Sequence, residues 1–357
     1  MPSATRRPAR RWSPPWPPPR RVARSSWASW PCSATASWPR WVRRSGPAAE
    51  RRASNACNHL PAARVQHPRR RYVQGGGQVG VRVVTDSSCD LPQERADGLG
   101  IEIVPLTIRF GDEEFVDRIE LSNDDFWKKV ADSSVLPETA APSAGAFEQR
   151  FRALADDGAE GIVCINLSSR LSATMQSAQL AAKALEGVCP VRVVDSMSVS
   201  MGLGLQCIAA ARLAEAGQDV DGIATAVEDQ THRTRLFGTL DTLEHLKKGG
   251  RIGAAQALLG GVLSIKPVIE VRDGVVAEAG KVRTRSKSLR FLADKVAGAV
   301  KPDGVYMFHA HAPDVDELLD LVAHTVPREQ IEIGIIGPVI GTHAGPRTIG
   351  LGWVEHW

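Results

Sequence analysis

The sequence predicts a two-domain α/β protein over residues 81–357, and three observations carry that prediction. Between residues 81 and 215, short apolar runs end in polar, hydroxyl-rich loops that lead into segments of helical period. This is the repeat of a mainly parallel sheet with helices on its faces. After about residue 239 the style changes to helices around two apolar runs joined by Asp273-Gly274, a hairpin turn signal, as in a second, two-layer domain. Before residue 81 no apolar period of 2 or 3.6 is sustained, so no packed core is expected there. The expected organisation is therefore 1–80 as an extension, 81–238 as an N-terminal α/β domain and 239–357 as a C-terminal α/β domain.

In order, residues 81–84 read as the first strand, ending in Thr85-Asp86-Ser87-Ser88-Cys89-Asp90-Leu91-Pro92, and residues 101–108 as the second. A charged helix is expected at 123–131. A Pro-bounded turn at 136–143, holding Thr139, leads into a helix over 144–155. The strand 161–166 ends in Ser168-Ser169-Arg170-Leu171-Ser172-Ala173-Thr174, which opens a helix of about four turns. The strand 191–194 and a helix at 203–215 complete the first domain. In the second, the helix 240–248 stops at Gly249-Gly250. A helix is expected at 253–263, strands at 267–271 and 275–279, a helix at 286–300, a strand at 305–310, a helix at 315–326 and a strand at 331–336. A Gly-rich stretch at 337–345 follows.

Charge separates the extension from the rest. The chain carries a formal +4, but residues 1–80 contribute +15 from sixteen Arg and one acid, Glu50, which leaves −11 for the remainder. An acidic globular part excludes a nucleic-acid footprint there, because phosphate binding needs clustered Lys and Arg. The extension also holds six of the nine Trp and a run of prolines. It reads as disordered or as translated non-coding sequence from a start codon placed too far upstream; a transit peptide or a basic arm are the other readings. With no secretion signal and no CxxC or Cys/His metal spacing, the six cysteines are expected as reduced thiols in a cytoplasm. No run approaches the roughly 18–20 apolar residues of a membrane span.

Several residues are candidates for binding chemistry. The helix start around Ser172 offers free backbone N–H groups and small hydroxyls to an anion, although Ser there is also an ordinary helix cap. Thr139, just before a helix, has the same two readings. Arg283, after a strand, is able to hold a carboxylate or phosphate in a bidentate way, or to be solvated surface. His343 lies between glycines that let backbone approach a ligand. His309 and His311 alternate on one strand, but no third ligand stands at a metal-binding spacing, and no metal or cofactor is expected. Gly75-Gly76-Gly77-Gln78-Val79-Gly80 matches GxGxxG, but a strand follows it where a helix is required, so it is not read as a dinucleotide site.

Taken together, the blocks resemble the DegV family of fatty-acid-binding proteins. They run from Thr85-Asp86-Ser87-Ser88-Cys89-Asp90-Leu91-Pro92 through Thr139 with Pro142-Ser143, residues 168–178, Val194-Asp195-Ser196 and Leu246-Lys247-Lys248-Gly249-Gly250-Arg251-Ile252. Ile265-Lys266-Pro267, Lys281-Val282-Arg283-Thr284 and Gly341-Thr342-His343-Ala344-Gly345-Pro346 complete the set. The resemblance implies a mainly parallel three-layer α/β/α domain followed by a two-layer α/β domain, with a long-chain fatty acid between them. It implies that Thr139 and Ser172 hold the carboxylate, with Arg283 and His343 as the other functional positions. It also implies the role of lipid-binding subunit to a separate ATP-binding fatty acid kinase subunit, which phosphorylates the bound acid to an acyl phosphate. The chain has no GxxxxGK[ST] loop, which fits a carrier that is not an enzyme on its own, and transient contact with a membrane surface suits such a carrier. Ala140 and Ala141 stand where the family has polar residues, Arg170 and Ala173 where Gly is common, Ser264 where Asn is usual, and Arg347 where Gly is usual. Two other readings compete: a dihydroxyacetone-kinase-like substrate subunit, and a Ser hydrolase using Ser88 or Ser172 with His343, though neither Ser lies in a GxSxG elbow.

Overall fold

A computed structural model describes residues 80–260 and 265–356, so the expectations placed on residues 1–79 lie outside it. The chain opens with β1 (Val81–Asp86), a 3₁₀ turn at Ser87–Cys89, α1 (Gln93–Gly98) and β2 (Ile101–Val104). The second predicted strand does not run through. Pro105 has no N–H to give a ladder, and the chain leaves the sheet there. It re-enters as β3 (Thr107–Phe110), which pairs antiparallel with β4 (Glu113–Val116). After α2 (Asn123–Asp132), β5 (Glu138–Ala140) joins the other edge of β3, with Thr139 opposite Ile108. The stretch read as a plain turn is thus the third strand of a small separate sheet.

The main N-terminal sheet continues through α3 (Ala144–Asp156), β6 (Gly161–Asn166), α4 (Thr174–Ala184), β7 (Val191–Asp195), α5 (Ser200–Glu215) and α6 (Val220–Arg233). Its order is β2-β1-β6-β7, all parallel. Strand side chains alternate between faces. Val84, Ile162 and Cys164 pack with Phe147, Phe151 and Leu154 of α3 and with Ala178 and Ala181 of α4. Val83, Val163 and Ile165 face the opposite way, toward α5 and α6. This is the expected three-layer domain, and burial on both faces is why its strands read as continuous apolar runs.

The second domain comprises β8 (Thr234–Thr239), α7 (Glu244–Lys248), a 3₁₀ segment at Gly253–Gly260, β9 (Lys266–Arg272), β10 (Val275–Val282), α8 (Arg285–Ala297), β11 (Asp303–His309), α9 (Val315–Val322), β12 (Glu332–Ile335), α10 (Pro338–Ala344) and β13 (Ile349–Val354). Its six strands lie in the order β10-β9-β8-β13-β11-β12, antiparallel except for β11 with β12. Because β8 pairs with β9 and β13, the strand that starts at Thr234 belongs to the second sheet. One face packs on α8 and α9 through Leu289, Leu292, Leu318 and Met307, with Phe237 stacked on Trp353 at 5.5 Å between ring centroids.

Other segments differ from expectation: α6 and β8 stand where no element was expected, and residues 253–260 form a 3₁₀ segment where an α-helix was expected. The Gly-rich stretch at 337–345 holds a helix, α10, which starts with Pro338 in its first turn and ends at Gly345 with φ +79°. The central strand β13 escaped reading because Gly350 and Gly352 interrupt its apolar pattern. The ring of Phe308 takes the room: a Cβ on Gly350 would sit 2.4 Å from its Cζ.

Helix α5 lies between the two sheets. Eleven of its sixteen residues are buried, so it shows no amphipathic stripe. Leu203, Leu205 and Cys207 belong to one core that takes in Val163 and Ile165 of the first sheet and Leu236, Tyr306 and Phe308 of the second. Its close packing requires Gly204, where a Cβ would meet the Cys89 carbonyl oxygen at 2.9 Å.

Candidate functional site

Between the two sheets lies a narrow apolar cavity. It encloses about 850 Å³ of atom-free space, its open mouth included, of which only about 100 Å³ is wide enough for the centre of a water molecule. The walls come from Leu106, the β6–α4 loop (Leu167, Leu171), the start of α5 (Val199), strands β8 and β9 (Leu236, Ile269, Val271), Phe308, and the inner face of α10 (Val339, Ile340). Loops at the carboxyl ends of parallel strands thus form one side, the usual place for ligands in such sheets.

Polar groups are few. Thr139, Ser172 and His343 all line this cavity, so the fold brings together three of the four residues singled out from the sequence. Thr139 reaches it from β5, and its Oγ1 lies 2.9 Å from Nε2 of His343 on α10. Ser172 stands in the loop before α4. Its Oγ accepts the Thr174 N–H at 3.3 Å and lies 2.9 Å from the Thr174 hydroxyl. Ser172 is not the helix cap, since Ala173 holds that position without a side-chain bond; its hydroxyl bonds to Thr174 while the residue borders the cavity.

Arg283 is placed differently. It is exposed at the bend between β10 and α8, and among the described residues it is not one that lines the cavity. The cation at the cavity is Arg251, held by bonds from Nε to the Leu171 carbonyl (3.1 Å) and from Nη1 to the Gly249 carbonyl (2.6 Å). Sequence reasoning passed over Arg251 because it follows Lys247-Lys248 after a helix stop, where a solvated charge is the ordinary expectation. Arg347, which stands where Gly is usual, pairs with Asp241 at 3.1 Å.

The electrostatics of His343 follow from these neighbours. Burial, then the nearby charges of Arg251 and His245, push its pKa down to about 4, so the ring is neutral near pH 7. Nδ1 is buried without a hydrogen-bond partner among the described residues. The ring sits so close to α7 that a Cβ on Gly249 would lie 2.4 Å from Nδ1. A neutral imidazole carries one N–H. With the proton on Nε2 it donates to Thr139 Oγ1, which frees the Thr hydroxyl proton for an acceptor in the cavity. With the proton on Nδ1, Thr139 donates to the ring and keeps nothing for a ligand. An anion at Thr139 therefore selects the first tautomer.

Asp90 fixes α10 from the other end. Its carboxylate accepts the Gly337 N–H (2.9 Å) at the start of α10 and the Ser200 hydroxyl (2.6 Å) at the start of α5. Burial pushes its pKa up to about 7, against the pull of those two bonds and of Arg118, with Asp117 adding to the rise. An acid whose folded pKa is raised binds its proton more tightly folded than unfolded, so its contribution to stability falls as pH rises from about 4 to about 7. Asp90→Asn removes that titration. The melting temperature of the variant relative to the native protein is expected to climb over this window and level off above it, as thermal unfolding across pH will show.

Two contacts tie the β9–β10 hairpin tip to the helix-start loop. Ser168 Oγ donates to the Gly274 carbonyl and Arg170 Nη1 to the Asp273 carbonyl, both at 2.7 Å. Ser88, the other serine of the hydrolase reading, is fully buried with its hydroxyl on Asp86, and the hydroxyl facing His343 belongs to Thr139. Among the described residues no group of three or more His, Cys, Asp or Glu is placed to hold a metal, and no helix is long and apolar enough to cross a membrane.

Fold and site together define a two-domain α/β protein built around an interior apolar cavity bordered by a few polar residues. A sequence profile of the family described as "Uncharacterised protein, DegV family" matches residues 80–356, and the chain belongs to the DegV family. A DegV domain-containing protein of Streptomyces coelicolor is 38% identical over 277 residues, covering 76% of this chain and 97% of the relative. Among solved structures, a DegV family protein from Thermus thermophilus, described by its fatty acid binding, superimposes with a TM-score of 0.72 at 31% identity, covering 78% of this chain and all of the other. A stearic acid-binding protein from Eubacterium ventriosum gives 0.69 at 26% identity, covering 77% and 98%.

Proposed function

We propose that this protein binds one long-chain fatty acid in the cavity, with the carboxylate at Thr139 and Ser172, and presents it to a separate ATP-binding kinase subunit for conversion to an acyl phosphate. The observation that carries the reading is the shape and chemistry of the cavity, a narrow apolar space whose polar residues include Thr139, Ser172, Arg251 and the neutral His343. Burying about fifteen methylenes at about 0.8 kcal/mol each gives roughly 12 kcal/mol of gross drive. Association and ordering offset several kcal/mol of it. Affinity then resides in the tail, while charge-assisted hydrogen bonds at the head set orientation. A triose of the dihydroxyacetone type would leave most of these apolar walls unused. The fatty acid binding described for the Thermus and Eubacterium proteins supports the same reading.

Two measurements test the two halves of the proposal. Native mass spectrometry of the purified protein is expected to show a co-purifying mass of a long-chain fatty acid, and added palmitate should raise the melting temperature. A reproducibly empty protein with no thermal shift would overturn the binding reading. For presentation, Arg283→Ala is expected to leave palmitate binding unchanged, because the residue lies outside the cavity lining, while lowering acyl-phosphate formation with a kinase subunit. Normal acyl-phosphate formation by this variant would remove Arg283 from the transfer step.

A further inference from the structure

We infer that Gly238 is the residue that sets the acyl-chain length the cavity accepts, its missing side chain being the opening through which a long tail passes. The inference rests on the fatty-acid reading above. Gly238 lies in β8, which is hydrogen-bonded on both sides, to β9 and to β13. Along a strand, alternate side chains share a face. The ring of Phe237 stacks on Trp353 in the core under α8 and α9, although Phe237 also borders the cavity, and Leu236 and Leu240 line it on either side of Gly238.

A glycine inside a central strand weakens it, through backbone entropy and the absence of a side chain to pack. Such a residue needs a reason, and its cross-strand partner has one. At Gly350 a Cβ would lie 2.4 Å from both the Phe237 carbonyl oxygen and the Phe308 ring, so protein fills the space. At Gly238 the only atom of the described residues within 4 Å of such a Cβ, its chain neighbours aside, is the Ile349 carbonyl oxygen at 3.7 Å, an ordinary contact. The room above Gly238 belongs to the cavity rather than to the core.

Its position along the cavity gives that room a use. Leu240 packs with Leu246 of α7, the helix whose C-cap Gly249 abuts His343, and so stands toward His343. Leu236 packs with Phe308 and α5, toward the far end. Gly238 is two residues, about 7 Å, from Leu240 along the strand. A side chain at 238 would close the passage between the head site and the Leu236–Phe308 end. Chains that stop short of it would still fit, and each methylene shut out would lower affinity about fourfold.

The test uses the full chain, incubated with an equimolar mixture of octanoate, laurate, palmitate and stearate and read by native mass spectrometry. The native protein is expected to retain palmitate or stearate. Gly238→Val is expected to shift the preferred acid to laurate or shorter and to cut palmitate retention by more than about tenfold, with an unchanged or higher melting temperature without added ligand, since Val favours strands. If the native protein retains no fatty acid, the binding reading fails and this inference with it. If the native protein retains long chains and the Val variant retains them in the same proportions, the role of Gly238 alone is overturned. Should the Val variant not fold, Gly238→Ala decides: a fall in stearate relative to palmitate supports the inference, and an unchanged ratio overturns it.

Discussion

Thr139→Val is expected to lower fatty-acid affinity by roughly 10- to 100-fold, the loss that follows from removing one hydrogen bond to a charged group at about 1.5–3 kcal/mol. Val keeps the shape of Thr and suits a strand, so β5 should stay paired to β3. The variant also leaves His343 without its 2.9 Å partner. A buried ring with neither nitrogen bonded costs about 1–3 kcal/mol, so a modest fall in melting temperature should accompany the loss of binding. Thr139→Ser keeps the hydroxyl and should recover most of both. Titration calorimetry with palmitate separates the effects, and equal affinity in the Val variant and the native protein would remove Thr139 from the head site.

Phe147→Ala should have the largest effect on stability. Phe147 and Phe151 of α3 are fully buried, 5.9 Å apart between ring centroids, and pack on Val84 and Ile162 of the parallel sheet. Emptying such a site costs about 3–5 kcal/mol, because the lost transfer energy is joined by that of the cavity left behind. For a chain of this size that is a fall in melting temperature on the order of 10 °C. Phe147 is not among the residues that line the cavity, so on the proposed function added palmitate should still shift the variant's melting temperature by an amount like the native one. A change under about 1 kcal/mol in denaturant unfolding would mean that the α3 layer contributes little.

The frame was legible where local chemistry settles it. β1, β6 and β7 announce themselves as apolar runs with hydroxyl-rich ends, and Asp273-Gly274 marks the β9–β10 hairpin. What was hidden depends on distant partners. β13 carries glycines because Phe308 lies over Gly350, and no local pattern conveys that. α10 hides behind Gly and Pro, which here serve as its ends. β5 is too short to be told from a turn, yet it is the element that carries Thr139 to His343. At the site, Thr139, Ser172 and His343 were found because small hydroxyls before helices and a glycine-flanked His suggest an anion. Arg283 and Arg251 are each an isolated cation in sequence. Only the folding of the Gly249–Arg251 turn against Leu171 decides which of them meets the cavity.

The helix shared by both sheets has a consequence for how this protein comes apart. Because α5 contributes side chains to a core drawn from both sheets, each half shares one apolar face with the other, and opening one exposes apolar surface of the other. The two domains are then expected to melt as one cooperative unit. Calorimetry should record a single transition, and the amides of α5 should be among the last to exchange with solvent.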